Sequence, residues 1–390
     1  MEAHIHEWLN LLVRWVHFIV GVAWIGASFY FNWLENNLDR RPPQEDGIAG
    51  NLWAIHGGGF YYLKKFSTGP EQLPSTLHWF KWEAYTTWLS GFSLLVIVYY
   101  FNARAWLIDP SVMALAPWQG ITIGVSAVIG SWFAYDGLCR IFRDRPALLA
   151  ALVFGWFSLL AIILGETLSG RAAYIHIGAA IGTVMVANVF FVIIPSQKEM
   201  VSALVENRPL DPAYGRNGLL RSRHNNYLTL PVLFTMISSH FPSTYGSPWG
   251  WLVLILLALV SVGVRHYFNV RHLGNRLVWI LPAAFVAMLG IMWLTAPEPV
   301  AEGSAVSDAK MNSIMVSRCA GCHAVQPTQP GFSAAPKGIE LDSMEKIQAQ
   351  REAINQVTVI TQTMPLGNLT GMLPEERQAV GRWIQSQSGK

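Results

Sequence analysis

Long apolar stretches alternate with short polar segments along the first 297 residues of the chain. An α-helix needs about 20 apolar residues to cross the ~30 Å hydrocarbon core of a bilayer. The pattern therefore predicts eight transmembrane spans, at about residues 8–31, 81–104, 117–138, 147–167, 172–195, 226–242, 249–268 and 276–297. The sixth span is the shortest, and we expect Pro231 to break its helix.

Lysine and arginine positions predict how these spans are oriented. Fifteen of these residues lie in or beside the segments that follow spans one, three, five and seven. The segments after spans two, four and six hold only two, Arg104 and Arg171. Because positively charged loops stay on the cytoplasmic side, the N-terminus and the C-terminal region should both lie outside.

Composition changes after the last span. The whole chain is 52% hydrophobic and only 13% charged, about half the charge of a typical soluble protein. The stretch "APEPVAEGSA" has the composition of a tether. Beyond it, "SDAKMNSIMVSR" and "LPEERQAVGRWIQSQ" have helical patterns. We expect an all-α protein with an integral membrane domain at residues 1–297, a linker at 298–305 and a small domain at 306–390.

The small domain contains "CAGCH", the attachment motif of a c-type haem. Cys319 and Cys322 would form thioethers with the porphyrin, and His323 would bind the iron. Met364 is the expected sixth ligand, and His/Met ligation tends to raise the reduction potential, which suits a haem that accepts electrons. The arrangement resembles a class I cytochrome c fused to a membrane helix bundle. A zinc site or a redox-active thiol pair is the alternative.

Histidines inside the spans are a second candidate feature, because ionisable groups in a membrane are costly and usually functional. His17, His176 and His240 lie toward the outer face. Two of them would be able to hold a non-covalent haem b that passes electrons to haem c. The alternative is that each is a packed histidine that hydrogen-bonds a neighbour.

The first inner loop, "NLWAIHGGGFYYLKKF", places three glycines between two aromatic-rich runs. This pattern predicts a β-hairpin with a tight turn. The hairpin is either a membrane-surface turn with interfacial aromatics or the wall of a site for a planar substrate. No Walker motif or dinucleotide fingerprint is present, so the sequence indicates neither nucleotide hydrolysis nor nicotinamide chemistry.

Four stretches carry a family resemblance: "RWVHFIVGVAWIGASFYFNWLE", "HGGGFY", "LHWFKWEAYTTWLSGF" and "RSRHNNYLTLPVLFTMISSHFP". Followed by a haem c motif, they resemble the bacterial membrane-bound urate oxidases, which are cytochrome c-linked. The first span also looks like the first helix of small haem-binding membrane proteins, in which a histidine at the place of His17 ligates iron.

The resemblance implies oxidation of urate to 5-hydroxyisourate in purine breakdown, with water supplying the hydroxyl and no hydrogen peroxide formed. Electrons would pass through haem c to a soluble or membrane-bound cytochrome c or a terminal oxidase. The expected location is the bacterial inner membrane, with the N-terminus and the cytochrome domain in the periplasm. Besides urate and the electron acceptor, the expected partner is the lipid bilayer, and no nucleic acid is expected.

Urate is a monoanion at neutral pH, so its site needs a cationic or amide clamp and a group that takes a proton. The inner-face candidates for the catalytic set are His56, Lys81, Glu83, His224 and Asn225. The outer-face candidates are Glu166, Arg171 and His176. The inner set is favoured because cytoplasmic purine breakdown makes the substrate.

Three other functions compete with this one. The first is a non-catalytic cytochrome b/c module that takes electrons from a quinol or a partner protein. The second is a relative of terminal oxidases or nitric oxide reductases, which the span count and the lack of an adjacent histidine pair disfavour. The third is a transporter with a regulatory cytochrome, for which the sequence shows no internal repeat.

Overall fold

The computed structural model of the chain describes residues 2–42, 44–273, 277–297, 299–329 and 332–387. It is mostly helical, with one two-stranded sheet within those ranges. The α-helices are α1 (Glu2–Asn37), α2 (Trp82–Leu94), α3 (Ala103–Trp106), α4 (Pro117–Phe142), α5 (Pro146–Gly165), α6 (Gly170–Asn188), α7 (Ile194–Val205), α8 (Pro212–Ile237), α9 (Pro242–Tyr245), α10 (Gly250–Val270), α11 (Ile280–Leu294), α12 (Asp308–Arg318), α13 (Met344–Ala349), α14 (Arg351–Ile354) and α15 (Pro374–Gln387). Arg276 of the basic segments, Glu298 of the expected linker and residues 388–390 lie outside the described ranges.

Six helical segments of the described chain are long and apolar enough to cross a membrane: His4–Asn37, Pro117–Phe142, Pro146–Gly165, Gly170–Val205, Gly250–Val270 and Leu277–Leu294. They coincide with expected spans one, three, four, five, seven and eight. The second expected span changes from α2 to a π-helical segment at Leu95–Tyr100, which shortens its α-helix. The sixth lies in α8, whose first half carries several arginines. These six helices are those of a multi-pass membrane protein.

The bundle has an apolar outer surface and a tightly packed centre. Large apolar side chains of α1 and α11 are exposed, including Trp15, Phe18 and Trp293. Such a surface suits hydrocarbon rather than water. By contrast, most residues of α6 are buried, and it packs against α4, α5, α8 and α10. Helix α6 is therefore the centre of the bundle, and polar groups on it must find protein partners.

Pro231 does not end its helix, contrary to the expectation from sequence. It is buried inside α8, which continues to Ile237 and is followed by a 3₁₀ turn at Ser238–His240. A proline inside a helix removes only one backbone donor, and packing against neighbouring helices compensates for the kink that it favours. His224 and His240 therefore lie toward opposite ends of one nearly continuous helical segment.

The predicted hairpin is confirmed. Strand β1 (Ile48–His56) pairs antiparallel with β2 (Gly59–Phe66), and His56 lies opposite Gly59. Gly57 and Gly58 form the two-residue turn, with φ of +58° and +82°. Two positive φ values in succession are those of a type I′ turn, which favours glycine at both places.

Residues from Asp308 onward form a second helical unit with its own core, built around Met311, Met315 and Trp383. The segment that leads into it from α11 has no regular structure where it is described. Arg318 of α12 forms an ion pair with Glu376 of α15 at 2.9 Å, which ties the first helix of the unit to its last.

The second unit lies against one end of the helix bundle through two close backbone contacts. A Cβ on Gly367 would come within 2.7 Å of the Ala105 carbonyl oxygen, and one on Gly246 within 2.6 Å of the Thr361 carbonyl oxygen. Gly367 also has a φ of +53°, so a side chain is disfavoured there for two reasons. This end of the bundle is opposite to the arginine-rich end.

Candidate functional site

The side chains of the CAGCH motif are positioned by the turn that follows α12. Cys319 and Cys322 are free thiols. Burial raises the pKa of the Cys319 thiol to about 11 and also raises that of Cys322. His323 Nδ1 lies 2.8 Å from the Ile339 carbonyl oxygen. This contact requires Nδ1 to carry the proton and leaves Nε2 free to act as an acceptor, which is the arrangement that orients metal-bound histidines in other proteins.

Met364, the expected sixth ligand, lies on the loop before α15. Arg377 of α15 holds this loop, because its guanidinium donates to the Met364 carbonyl oxygen at 2.6 Å and to the Thr358 carbonyl oxygen at 2.7 Å. Arg377 also interacts electrostatically with Asp109, which belongs to the bundle. A c-type haem needs two cysteines for covalent attachment to the porphyrin and an imidazole and a methionine sulfur as iron ligands, so the residue types of this set fit that cofactor.

A buried polar network joins α4, α6 and α8 near the arginine-rich end of the bundle. The Tyr135 hydroxyl lies 2.8 Å from His224 Nδ1. Asn188 donates to the Tyr135 hydroxyl at 3.0 Å and to Asn225 Oδ1 at 2.8 Å. Asn225 in turn donates to the Met185 carbonyl oxygen at 2.9 Å. The structure thus brings two of the expected catalytic residues, His224 and Asn225, into one network.

A buried ion pair completes this network. Arg221 donates to Asp136 at 2.6 Å and to Asn188 at 3.3 Å. Side-chain exposure is 8% for Arg221 and 13% for Asp136, so the pair is shielded from water. Asp136 also accepts from Arg140 at 2.7 Å, whose side chain is 79% exposed. None of the buried atoms without a hydrogen-bond partner in the described chain belongs to this network, which satisfies itself.

Sequence reasoning missed Tyr135, Asp136 and Asn188 as members of this network. Two of them could have been identified from the sequence, because Asp136 and Asn188 are polar residues within expected spans 117–138 and 172–195. The rule that identifies intramembrane histidines as functional candidates applies equally to an aspartate and an asparagine.

The other expected inner-face residues are not bonded to His224 or Asn225 in the part of the chain that the structure describes. His56 is exposed at the end of the hairpin, and Lys81 lies before α2 with its Nζ 5.6 Å from the centre of the Trp82 ring. Glu83 has a buried Oε2 that lacks a hydrogen-bond partner. Among the described residues, no hydrogen bond or ion pair joins these three to the network. Their catalytic role stays a prediction.

The three outer histidines have separate surroundings. His17 Nδ1 lies 3.0 Å from the Thr87 carbonyl oxygen and 3.1 Å from Ser90 Oγ. His176 is fully buried, with Nδ1 2.8 Å from the Ala172 carbonyl oxygen and Nε2 3.1 Å from the Tyr100 hydroxyl. His17 contacts Ser90 of α2, and His176 contacts Tyr100 of the π-helical segment that follows α2. These two contacts are about ten residues apart, or ~15 Å along a helix axis.

His240 lies in the 3₁₀ turn after α8 and lines a cleft at the outer end of the bundle. The structure therefore places the three histidines at different positions and does not bring their rings together. Haem b stays a prediction that rests on sequence alone.

The cleft that His240 lines has a volume of about 940 Å³ and lies between the bundle and the second unit. Its bundle side includes Trp106, Asp109, Glu166, Arg171, Tyr174 and Tyr245, and its other side includes Lys337, Met364, Pro365 and Arg377. The expected iron ligand Met364 therefore lines a space that the bundle also borders. This volume is in the range of small-molecule sites.

Arg171 is one of the cations that line the cleft, together with Lys337 and Arg377. Its guanidinium lies over the Trp106 ring, 4.6 Å from the centre, and 5.7 Å from the centre of the Tyr245 ring. One nitrogen donates to the Ser239 carbonyl oxygen at 3.1 Å, while the buried Nε has no well-aligned acceptor among the described residues. Of the three expected outer-face residues, the structure brings Glu166 and Arg171 to this cleft, and His176 lies deeper in the bundle.

Comparison with known proteins gives one family match. The model of the family described as "Urate oxidase N-terminal" matches residues 3–296, which is the whole of the helix bundle. No curated protein and no solved structure matches the chain.

Proposed function

The chain belongs to the urate oxidase N-terminal family, and from this membership we propose that it oxidises urate to 5-hydroxyisourate and passes the electrons to a haem c in its own C-terminal unit. In this reaction urate gains a hydroxyl from water and loses two electrons and two protons. Because a haem accepts one electron at a time, the two electrons of each urate would have to leave in two successive transfers. Molecular oxygen is not a reactant, and no hydrogen peroxide forms.

The observation that carries the proposal is the family match across the entire bundle. The second unit, which contains the CAGCH motif, follows the bundle in the same chain. Cys319 and Cys322 would attach the haem, and His323 and Met364 would bind its iron. When bound, the haem supplies one-electron acceptance at a potential raised by His/Met ligation. The Ile339 carbonyl oxygen orients the imidazole, and Arg377 holds the Met364 loop against the bundle.

The proposal includes the eight-span arrangement in a bacterial inner membrane, with residues 1–297 as the membrane domain and 306–390 as a periplasmic cytochrome c domain. Six of these spans have the length and apolar composition for it. The basic residues at the end opposite to the second unit support this orientation. A soluble or membrane-bound cytochrome c, or a terminal oxidase, would then receive the electrons on the periplasmic side.

Product analysis tests the proposed reaction. The purified full-length protein is mixed with urate and an excess of oxidised soluble cytochrome c in ¹⁸O-labelled water. We expect two molecules of cytochrome c to be reduced per urate, with one ¹⁸O atom in the first product and no hydrogen peroxide. Peroxide formed in proportion to urate would contradict the proposal. Reduction by a quinol but not by urate would instead identify an electron-transfer module.

A further inference from the structure

Arg171 has no anionic partner. No Asp or Glu of the described chain forms an ion pair with it, although Glu166 borders the same cleft. Its buried Nε has no well-aligned acceptor among the described residues, although the Tyr245 hydroxyl interacts with the guanidinium. A partly buried guanidinium that lacks a counter-ion carries a desolvation cost that a bound anion would offset. The cleft is therefore equipped for a negatively charged ligand.

The surroundings of Arg171 suit a ligand that is planar as well as anionic. The partly exposed rings of Trp106 and Tyr245 lie against the guanidinium. Buried Tyr174 supports the Tyr245 ring edge-on, and its hydroxyl donates to the Thr244 and Gly250 carbonyl oxygens at 2.9 and 2.8 Å. Fixed aromatic rings offer stacking surfaces to a flat heterocycle. An arginine presents a planar fork of donors that matches paired acceptors on the edge of such a ring.

The partial charges of the backbone also favour an anion in the cleft. Helices α6 and α10 both begin at the cleft, where Gly170 and Gly250 line it. Helix N-termini carry partial positive charge. Of the two carboxylates at the cleft, Asp109 accepts hydrogen bonds from Ser111 and is attracted by Arg377, while Glu166 is exposed. The inner part of the cleft therefore favours an anion.

The buried network at the other end of the bundle differs from the cleft, because its arginine already has an anionic partner and its polar groups already have hydrogen-bond partners. Arg221 has a carboxylate partner in Asp136, and Tyr135, Asn188 and Asn225 satisfy one another. A ligand there would have to displace these bonds. A site at that end would also need a relay across the ~30 Å hydrocarbon core to reach Met364. The outer cleft needs no relay because Met364 lines it.

The geometry points to the outer cleft as the binding site of the urate anion, with Arg171 as its cationic ligand. This assignment rests on the proposed function and refines it by locating the substrate. Urate in the cleft would lie between the aromatic rings and the Met364 loop. Its two electrons would leave one at a time through haem c to the external acceptor, and water would supply the hydroxyl. Of the two protons released, one would go to Glu166, which is exposed at the rim, and the other to bulk water.

Sidedness tests the location without any mutation. The purified protein is reconstituted into sealed lipid vesicles, and its orientation is determined by protease cleavage of the C-terminal unit. Because the urate anion crosses hydrocarbon poorly, urate added on the side of that unit should reduce haem c at least about 10-fold faster than urate on the other side. Equal rates after detergent addition are the control. Faster reduction from the opposite side would overturn the assignment.

A matched pair of variants tests the residue. Arg171→Gln should raise the urate concentration for half-maximal haem c reduction about 10- to 100-fold, because a charge-assisted contact is lost. Arg171→Lys should fall between this variant and the wild type. Arg104→Gln makes the same charge change at the same end of the bundle, but Arg104 is exposed and does not line the cleft. It should differ from the wild type by less than about twofold.

Three results separate the possible failures. Arg171→Gln protein that keeps wild-type urate dependence would overturn the site while leaving the proposed function intact. Wild-type protein that is not reduced by urate on either side would instead overturn the proposed function itself. Ascorbate reduction of haem c in every variant confirms that the C-terminal unit is folded and loaded, so a loss of urate response in Arg171→Gln reports on the cleft.

Discussion

Replacing His323 with alanine is expected to abolish urate-driven electron output, lowering the rate of acceptor reduction by more than about 100-fold. His323 is the expected axial imidazole, and its Nδ1 contact with the Ile339 carbonyl oxygen shows that the structure holds the ring in one orientation. Without it the iron loses the ligand pair that suits electron acceptance. Urate-dependent reduction of soluble cytochrome c by the purified variant measures this loss.

A histidine outside the second unit provides the control for this variant. His272→Ala removes an exposed imidazole that contacts only Arg271 among the hydrogen bonds of the described chain. Its rate should stay within about twofold of the wild type, as expected for a surface change. The amount of covalently attached porphyrin is measured in both proteins, so that loss of the iron ligand is distinguished from loss of haem attachment through Cys319 and Cys322. Urate-driven output that persists in His323→Ala would show that electrons leave the bundle by another route.

Arg221→Leu is expected to destabilise the helix bundle by about 3 kcal/mol, the second-largest effect that the structure predicts. The substitution leaves the buried Asp136 carboxylate without its shielded partner and removes the donor to Asn188. An uncompensated charge in a low-dielectric interior is costly. Thermal unfolding of the full-length protein in detergent, followed by the fluorescence of its tryptophans, measures the loss.

Arg140→Leu is the matched control, because it removes a second arginine from the same carboxylate. The Arg140 side chain is 79% exposed, whereas that of Arg221 is 8% exposed. Exposed ion pairs contribute about 0–1 kcal/mol, so this variant should unfold close to the wild type. Equal destabilisation by the two substitutions would show that burial of the Arg221–Asp136 pair does not determine its contribution.

Local patterns predicted much of the fold. Apolar length located the six long apolar helices, and the glycine run in "HGGGF" predicted the hairpin turn that the structure shows at Gly57 and Gly58. Such features depend on neighbours in sequence. Pro231 was misjudged because its cost depends on packing by other helices, which surround it in α8.

The candidate sites depend on contacts between segments that are distant in sequence, so fewer of their residues could be predicted from the sequence. The CAGCH motif is contiguous, so a haem site can be predicted from it without knowledge of the fold, and this site stays a prediction. The partnership of His224 with Tyr135 joins residues on α8 and α4. The outer cleft joins α3, α6, the Tyr245 segment and the Met364 loop. No sequence periodicity encodes which of these elements meet.

The most direct test of the central claim is the anaerobic spectrum of the oxidised, full-length protein after rapid mixing with urate. We expect growth of the reduced haem c band, with two haems reduced for each urate consumed and no requirement for oxygen. A haem c that stays oxidised in the presence of urate, yet is reduced by ascorbate or by a quinol, would contradict it and identify the protein as an electron-transfer module.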